Sequence, residues 1–195
     1  MLSVKNLLYF AVAVSCAAIN RDAADGFLHS LARRDDPPQT KSDSNQTTTD
    51  LEEITNNIYG FYQVVSMYNG SPISQYPVVG AEDKLLHSIN EATAHAKLAP
   101  VPSEEDSTAI LSYVQSVMWP AMVRAISPLK AKKDLFSQAG QAQAMKTLLV
   151  DLKNATLDLS QTLIYATPLT KVVTGLSLER SIKNRFDEII QLYST

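Results

Sequence analysis

His87, Glu91 and His95 recur every four residues, a spacing that brings all three to one side of a helix. Imidazole and carboxylate are metal ligands and proton carriers. Such a row could therefore hold zinc or supply a general base. The spacing argues against the first. The His-Glu-x-x-His zinc signature sets its histidines one turn apart. His87 and His95 stand eight positions apart, about 12 Å of helix rise, which one ion cannot easily span. A base also needs a partner, and no serine lies at a nucleophile elbow. The sequence has no glycine-rich phosphate loop, and its other carboxylates are scattered. The row reads as a solvated helix face. The expectation is no enzyme, no metal and no cofactor.

Cysteine chemistry is excluded more simply. The only cysteine is Cys16, inside a stretch that reads as a secretory signal. Lys5 supplies the positive start of residues 1–18, and Leu7 to Ala18 is an apolar run too short to span a bilayer. Cys16, Ala17 and Ala18 are small enough for a cleavage site after Ala18. The mature chain should carry no disulfide, although an oxidising compartment would allow one. Residues 19–34 end in Arg33-Arg34, which resembles a dibasic processing site; a short exposed helix ending in charge is the alternative. Residues 35–49 are rich in Pro, Ser, Thr and Asp without apolar periodicity, so they read as a disordered linker. Asn45 heads a glycosylation sequon there. Asn154 heads a second, and Asn69 a third that is less suited because Pro72 and a tight turn follow.

The elements that remain are helical. Residues 50–195 are read as one domain, since 45% of the chain is apolar and no strict alternation marks a strand. A net charge of −3 gives no electrostatic ground for nucleic-acid binding, and no later apolar run is long enough for a transmembrane span. Thr49 and Glu52 predict a cap for a first helix with Leu51, Ile54, Ile58, Phe61, Val65 and Tyr68 inward. Asn69-Gly70 ends it. Pro72, Pro77 and Gly80 predict a loop over residues 71–80. A second helix follows over 81–98, with Leu85, Leu86, Ile89, Ala92 and Ala96 inward. The longest amphipathic pattern runs from Ser103 to Lys133. Ile110, Val114, Val117, Met118, Met122, Ala125 and Leu129 form its stripe, Ser103 caps it, and Pro120 and Pro128 bend it. Lys130, Lys132 and Lys133 suit the negative end of its dipole. A fourth helix, 141–166, turns Met145, Leu149, Leu152, Thr156, Leu159 and Leu163 inward. A fifth, 170–193, turns Leu178, Ile182, Phe186, Ile189 and Tyr193 inward. The expected fold is an all-α, mostly antiparallel bundle of five to six helices around a long kinked central helix, without disulfides.

Trp119, beside Pro120, is read as core rather than as an exposed anchor. Met118, Met122 and Met145 put flexible side chains in the interior, where methionine fills irregular space. Ordinary core and a cavity for variable chains both fit that pattern.

Several segments together resemble the fungal cell-wall galactomannoprotein, or hydrophobic surface-binding protein A, family. They are DSTAILSYVQSVMWPAMVRAISPLKAKKDLF (Asp106 to Phe136), LLVDLKNATLDLSQTL (Leu148 to Leu163), IKNRFDEIIQLY (Ile182 to Tyr193) and the opening helix that ends MYNG (Met67 to Gly70). Their order and spacing carry the likeness over residues 50–195. The resemblance implies a secreted, glycosylated protein of the fungal wall or medium. It implies binding of a fatty acid or other lipid between helices, or of a hydrophobic surface, with wall polysaccharide a further partner. A structural wall mannoprotein without ligand is the third reading. The Ser/Thr-rich tail and lipid-anchor signal of some wall-bound members are missing, which favours soluble secretion or non-covalent retention. Taken from the inner stripes, where core residues would look the same, Phe61, Val65, Leu86, Ile89, Val114, Met118, Met122, Met145, Leu149, Leu152, Ile182 and Phe186 are the expected lipid-lining residues.

Overall fold

The structure is a computed structural model and describes residues 44–194. The expected signal, the processing site and most of the linker lie outside the described residues. Within them the chain is an all-α bundle. Its elements are α1 (Ser44–Met67), α2 (Pro72–Leu98), α3 (Glu104–Tyr113), a π-helical turn (Val114–Met118), α4 (Trp119–Gln138), α5 (Ala142–Ala166) and α6 (Leu169–Leu192). α1 packs on α2 and α4, α2 on α5, α5 on α6, and α6 also on α4.

The inner stripes expected from periodicity are the core. Leu51, Ile54, Ile58, Phe61 and Val65 are all buried on α1, with Tyr68 just past its end, as are Met145, Leu149, Leu152 and Leu159 on α5 and Ile182, Phe186 and Ile189 on α6, with Tyr193 just past its end. Val117 differs and is half exposed. The buried line runs Val114, Met118, Met122 in steps of four, which leaves Val117 to one side.

Two boundaries differ from expectation, each for a stated reason. α1 begins at Ser44, so residues 44–49 are helical rather than linker. Asp50 is buried and accepts a hydrogen bond from Gln46 Nε2 at 2.8 Å, an i,i+4 contact that only a helix makes. α2 begins at Pro72, not at residue 81. Pro72 occupies the first helical turn, where its missing N–H is no loss, and Ser71 Oγ accepts from Ser74 N. Pro77 falls inside the helix on an exposed face, where solvent can serve the carbonyl it leaves free. Gly70, at φ 83°, makes the turn between α1 and α2.

α3, the π turn and α4 follow one another without a break. Ser103 caps the start: its Oγ accepts from Asp106 N at 3.0 Å and donates to the Asp106 carboxylate at 2.7 Å. The π turn ends two residues before Pro120. A proline ring would strike the carbonyl four residues back and cannot bond it. Widening the turn, with Trp119 N–H reaching Val114 O, lets the helix pass that point. The lysines expected at the helix end lie short of it, because α4 continues to Gln138. Lys130 instead pairs with Glu188 of α6 at 3.6 Å.

One end of the bundle is closed by aromatic rings. Tyr68 stacks on Phe136 with centroids 4.0 Å apart, and Tyr193 meets Phe136 edge-on. The Tyr193 hydroxyl donates to Leu129 O at 2.7 Å. Burial, then the neighbouring Tyr68, push its phenol far above the ordinary value. Trp119 is partly buried against the core.

Candidate functional site

At the other end the helices part around an apolar cleft. Its walls are Leu51 of α1, Ile110 and Leu111 of α3, Val114 and Met118 of the π turn, five residues of α5 (Thr156, Leu159, Ser160, Leu163, Ile164), Thr167 in the α5–α6 turn, and Gly175, Leu178, Glu179 and Ile182 of α6. The cleft holds a cavity of about 50 Å³ and opens to solvent on one side. It therefore has room for small molecules such as water, not for an extended sixteen-carbon chain.

Its polar groups are largely turned to their own helices. Thr156 Oγ1 donates to Leu152 O, Ser160 Oγ to Thr156 O and Thr167 Oγ1 to Leu163 O, at 2.6, 2.8 and 2.7 Å. Glu179 accepts from Gln161 Nε2 at 3.1 Å. No lysine, arginine or histidine is among the cleft residues.

Gly175 sets how closely α6 approaches α5. A Cβ at this position would lie 2.9 Å from Ile164 Cγ1, closer than real carbons come. The two ends of α6 are held differently. Its C-terminal half is anchored by buried Ile182, Phe186, Ile189 and Tyr193 and by Asp187, which bonds Lys153 of α5. Its N-terminal half buries Val172 and Gly175 but leaves Leu169 and Val173 about 60% exposed. That half is tied at the rim by the exposed contact from Thr170 Oγ1 to Glu104 at 2.7 Å.

Of the expected lining residues, the structure brings Val114, Met118 and Ile182 together in the cleft. Phe61, Val65, Ile89, Met122, Met145, Leu149, Leu152 and Phe186 are packed in the core, and Leu86 lies partly buried against it. The stripes mark which faces turn inward but not where the inward faces stand apart. Gly175 and the α5 residues around Ile164 were missed. An isolated glycine in a helical pattern is the signal for close backbone approach.

The His87, Glu91, His95 row does not converge. His87 pairs with Glu91 at 3.3 Å on an exposed face. His95 turns to α1, where its Nδ1 lies 3.0 Å from Asp50 Oδ2. Asn69 and Asn154 are exposed, and Asn45 falls in the first turn of α1.

The model of the family described as hydrophobic surface binding protein A matches residues 44–164, more than half of the 195-residue chain. The chain belongs to that family. A search of curated proteins finds no match. Among solved structures, this family member is similar to the protein AFMP4P in complex with palmitic acid, with a TM-score of 0.75 and 25% identity over 77% of this chain and 99% of that one. Ligand-binding domain 1 of the Penicillium marneffei MP1 protein, complexed with arachidonic acids, aligns with a TM-score of 0.73 and 19% identity over 78% and 99%. Domain 2 of the same protein, complexed with multiple arachidonic acids, gives 0.73 and 19% over 80% and 98%. At 19% these likenesses concern the fold. No helix among the described residues is long and apolar enough to cross a membrane.

Proposed function

We propose that this protein is a secreted, non-enzymatic lipid-binding module that takes a single acyl chain into the cleft between α3, the π turn, α5 and α6. The observation that carries the reading is the cleft itself, walled by apolar side chains from five parts of the bundle. Family membership and the similarity to a palmitic acid complex support it. Val114, Met118 and Ile182 keep their expected lining role, joined by Ile110, Leu111, Leu159, Ile164 and Leu178.

A chain enters by moving the N-terminal half of α6. That half has few buried contacts and an exposed rim tie, while the aromatic cluster holds the far end. Burying about fourteen methylenes gains roughly 11 kcal/mol gross. Association costs about 4 kcal/mol or more, and opening adds to that, so affinity falls in the micromolar range or weaker. Secretion rests on the leader-like residues 1–18. Glycosylation at Asn154, exposed on α5, and at Asn45 belongs to the same reading, with Asn69 the poorest acceptor. So do a location in the fungal wall or medium and contact with wall polysaccharide.

The test is native mass spectrometry of the purified protein with palmitate. A bound chain is expected with the wild type and is expected to be lost in Met118→Trp, which fills the cleft. Absence of both co-purified and added lipid from the folded wild type sinks the reading.

Adsorption to hydrophobic surfaces is the second reading, and exposed apolar side chains favour it. Leu98 is 86% and Ile73 81% exposed, with Tyr76 at 75%. If adsorption uses these residues, it persists in Met118→Trp and falls in a triple variant carrying Leu98→Ser, Ile73→Ser and Tyr76→Ser. The opposite pattern assigns adsorption to the cleft.

A further inference from the structure

Ser107 is 1% exposed, and its hydroxyl has no hydrogen-bond partner among the described residues. Buried hydroxyls are nearly always bonded, and a helical serine has an easy acceptor four residues back. Its neighbours follow that rule: Thr108 donates to Glu104 O and Ser116 to Ser112 O. Ser107 does not. It is not itself among the residues that wall the cleft, but it stands three and four residues before Ile110 and Leu111 and seven before Val114, so it continues their stripe one turn further along α3. The hydroxyls that line the cleft donate to their own helices. Ser107 is thus a spare donor at the α6-start end, where Thr170 meets Glu104.

We infer that Ser107 anchors the head of the bound chain and that the head it suits is an uncharged oxygen, as in a long-chain alcohol or a protonated acid. This rests on the acyl-chain reading and narrows it. A buried carboxylate needs a cation or several donors to offset its lost hydration. No lysine, arginine or histidine lines the cleft, and its one ionisable residue is Glu179, which has the same sign as a carboxylate. A neutral hydroxyl needs only one good partner, and the Ser107 hydroxyl can donate or accept.

The experiment titrates the full chain and its Ser107→Ala variant with decanol, decane and decanoate at pH 8, read by native mass spectrometry. At that pH a carboxylic acid in water is ionised. Decanol is expected to bind the wild type more tightly than decanoate does. Ser107→Ala is expected to weaken decanol roughly three- to tenfold, the worth of one neutral hydrogen bond, and to leave decane unchanged. The variant should melt no lower than the wild type, since it removes an unpartnered hydroxyl. Equal decanol binding by both proteins overturns the anchor. Decanoate binding at least as tight as decanol overturns the preference for a neutral head. Binding of none of the three by the folded wild type overturns the acyl-chain reading and this inference with it.

Discussion

Tyr193 joins three helices through one ring. Its hydroxyl reaches α4 at Leu129, and it meets edge-on Phe136, which stacks on Tyr68 at the end of α1. Phe136→Ala removes the middle of that stack and should destabilise the fold by about 3–5 kcal/mol. Tyr193→Phe removes only the hydrogen bond and should cost about 1 kcal/mol. Urea titration of both variants checks the ranking, and equal losses refute it. Asp187 gives a pH signature. Hydrogen bonds from Lys153 and Lys183 hold its carboxyl below the ordinary value. Its contribution is thus present above the unfolded value of about 3.9 and lost as pH falls through the lower folded value. Asp187→Asn should be less stable than the wild type at pH 7, and the gap should close toward pH 2. Its side chain is 43% exposed, so the gap should be small and shrink with salt; an unchanged gap in acid refutes the assignment. At this scale the sequence was partly legible. The spacing of His87, Glu91 and His95 argued against a shared ion, but the bond from His95 to Asp50 joins residues 45 positions apart, and no local pattern announces it.

Among the elements, the passage from α3 to α4 shows what periodicity reads well and where backbone chemistry takes over. The apolar spacing located one long amphipathic element, and Pro120 marked a disturbance within it. That the disturbance is a π turn follows from the ring's demand on the preceding turn, which spacing does not express. Pro72 and Pro77 misled in the other direction, because proline is tolerated in a first turn and on a solvent-facing side. Gly175 tests the α5–α6 packing. Alanine there favours the helix by up to about 1 kcal/mol, but its Cβ would meet Ile164 Cγ1 at 2.9 Å. The clash should win, so Gly175→Ala should lower the melting temperature. Ile164→Ala in the same chain should recover part of the loss, a non-additivity that a double-mutant cycle measures. Additive losses would show that the two helices are not held apart by this contact.

For the molecule as a whole, the inner stripes made the bundle legible, since five amphipathic segments with short connections have few other ways to bury them. The cleft was much less so. A side chain facing a gap and one facing a neighbour carry the same apolar signature, which is why Phe61 and Met145, packed in the core, read the same as Val114 and Met118 at the cleft. The uneven anchoring of α6 makes a prediction at this scale. Amide exchange should be fastest in residues 169–178 and slowest near 182–190, and added lipid should slow the first group most. Uniform protection along α6 would contradict the opening proposed for it.

The cavity of about 50 Å³ also bears on timing. Entry that requires the start of α6 to swing aside is confined to rare excursions, and apparent affinity falls with the fraction of time spent ajar. Uptake should level off as guest concentration rises, at a ceiling set by the protein's own breathing. Residence should be long for the same reason.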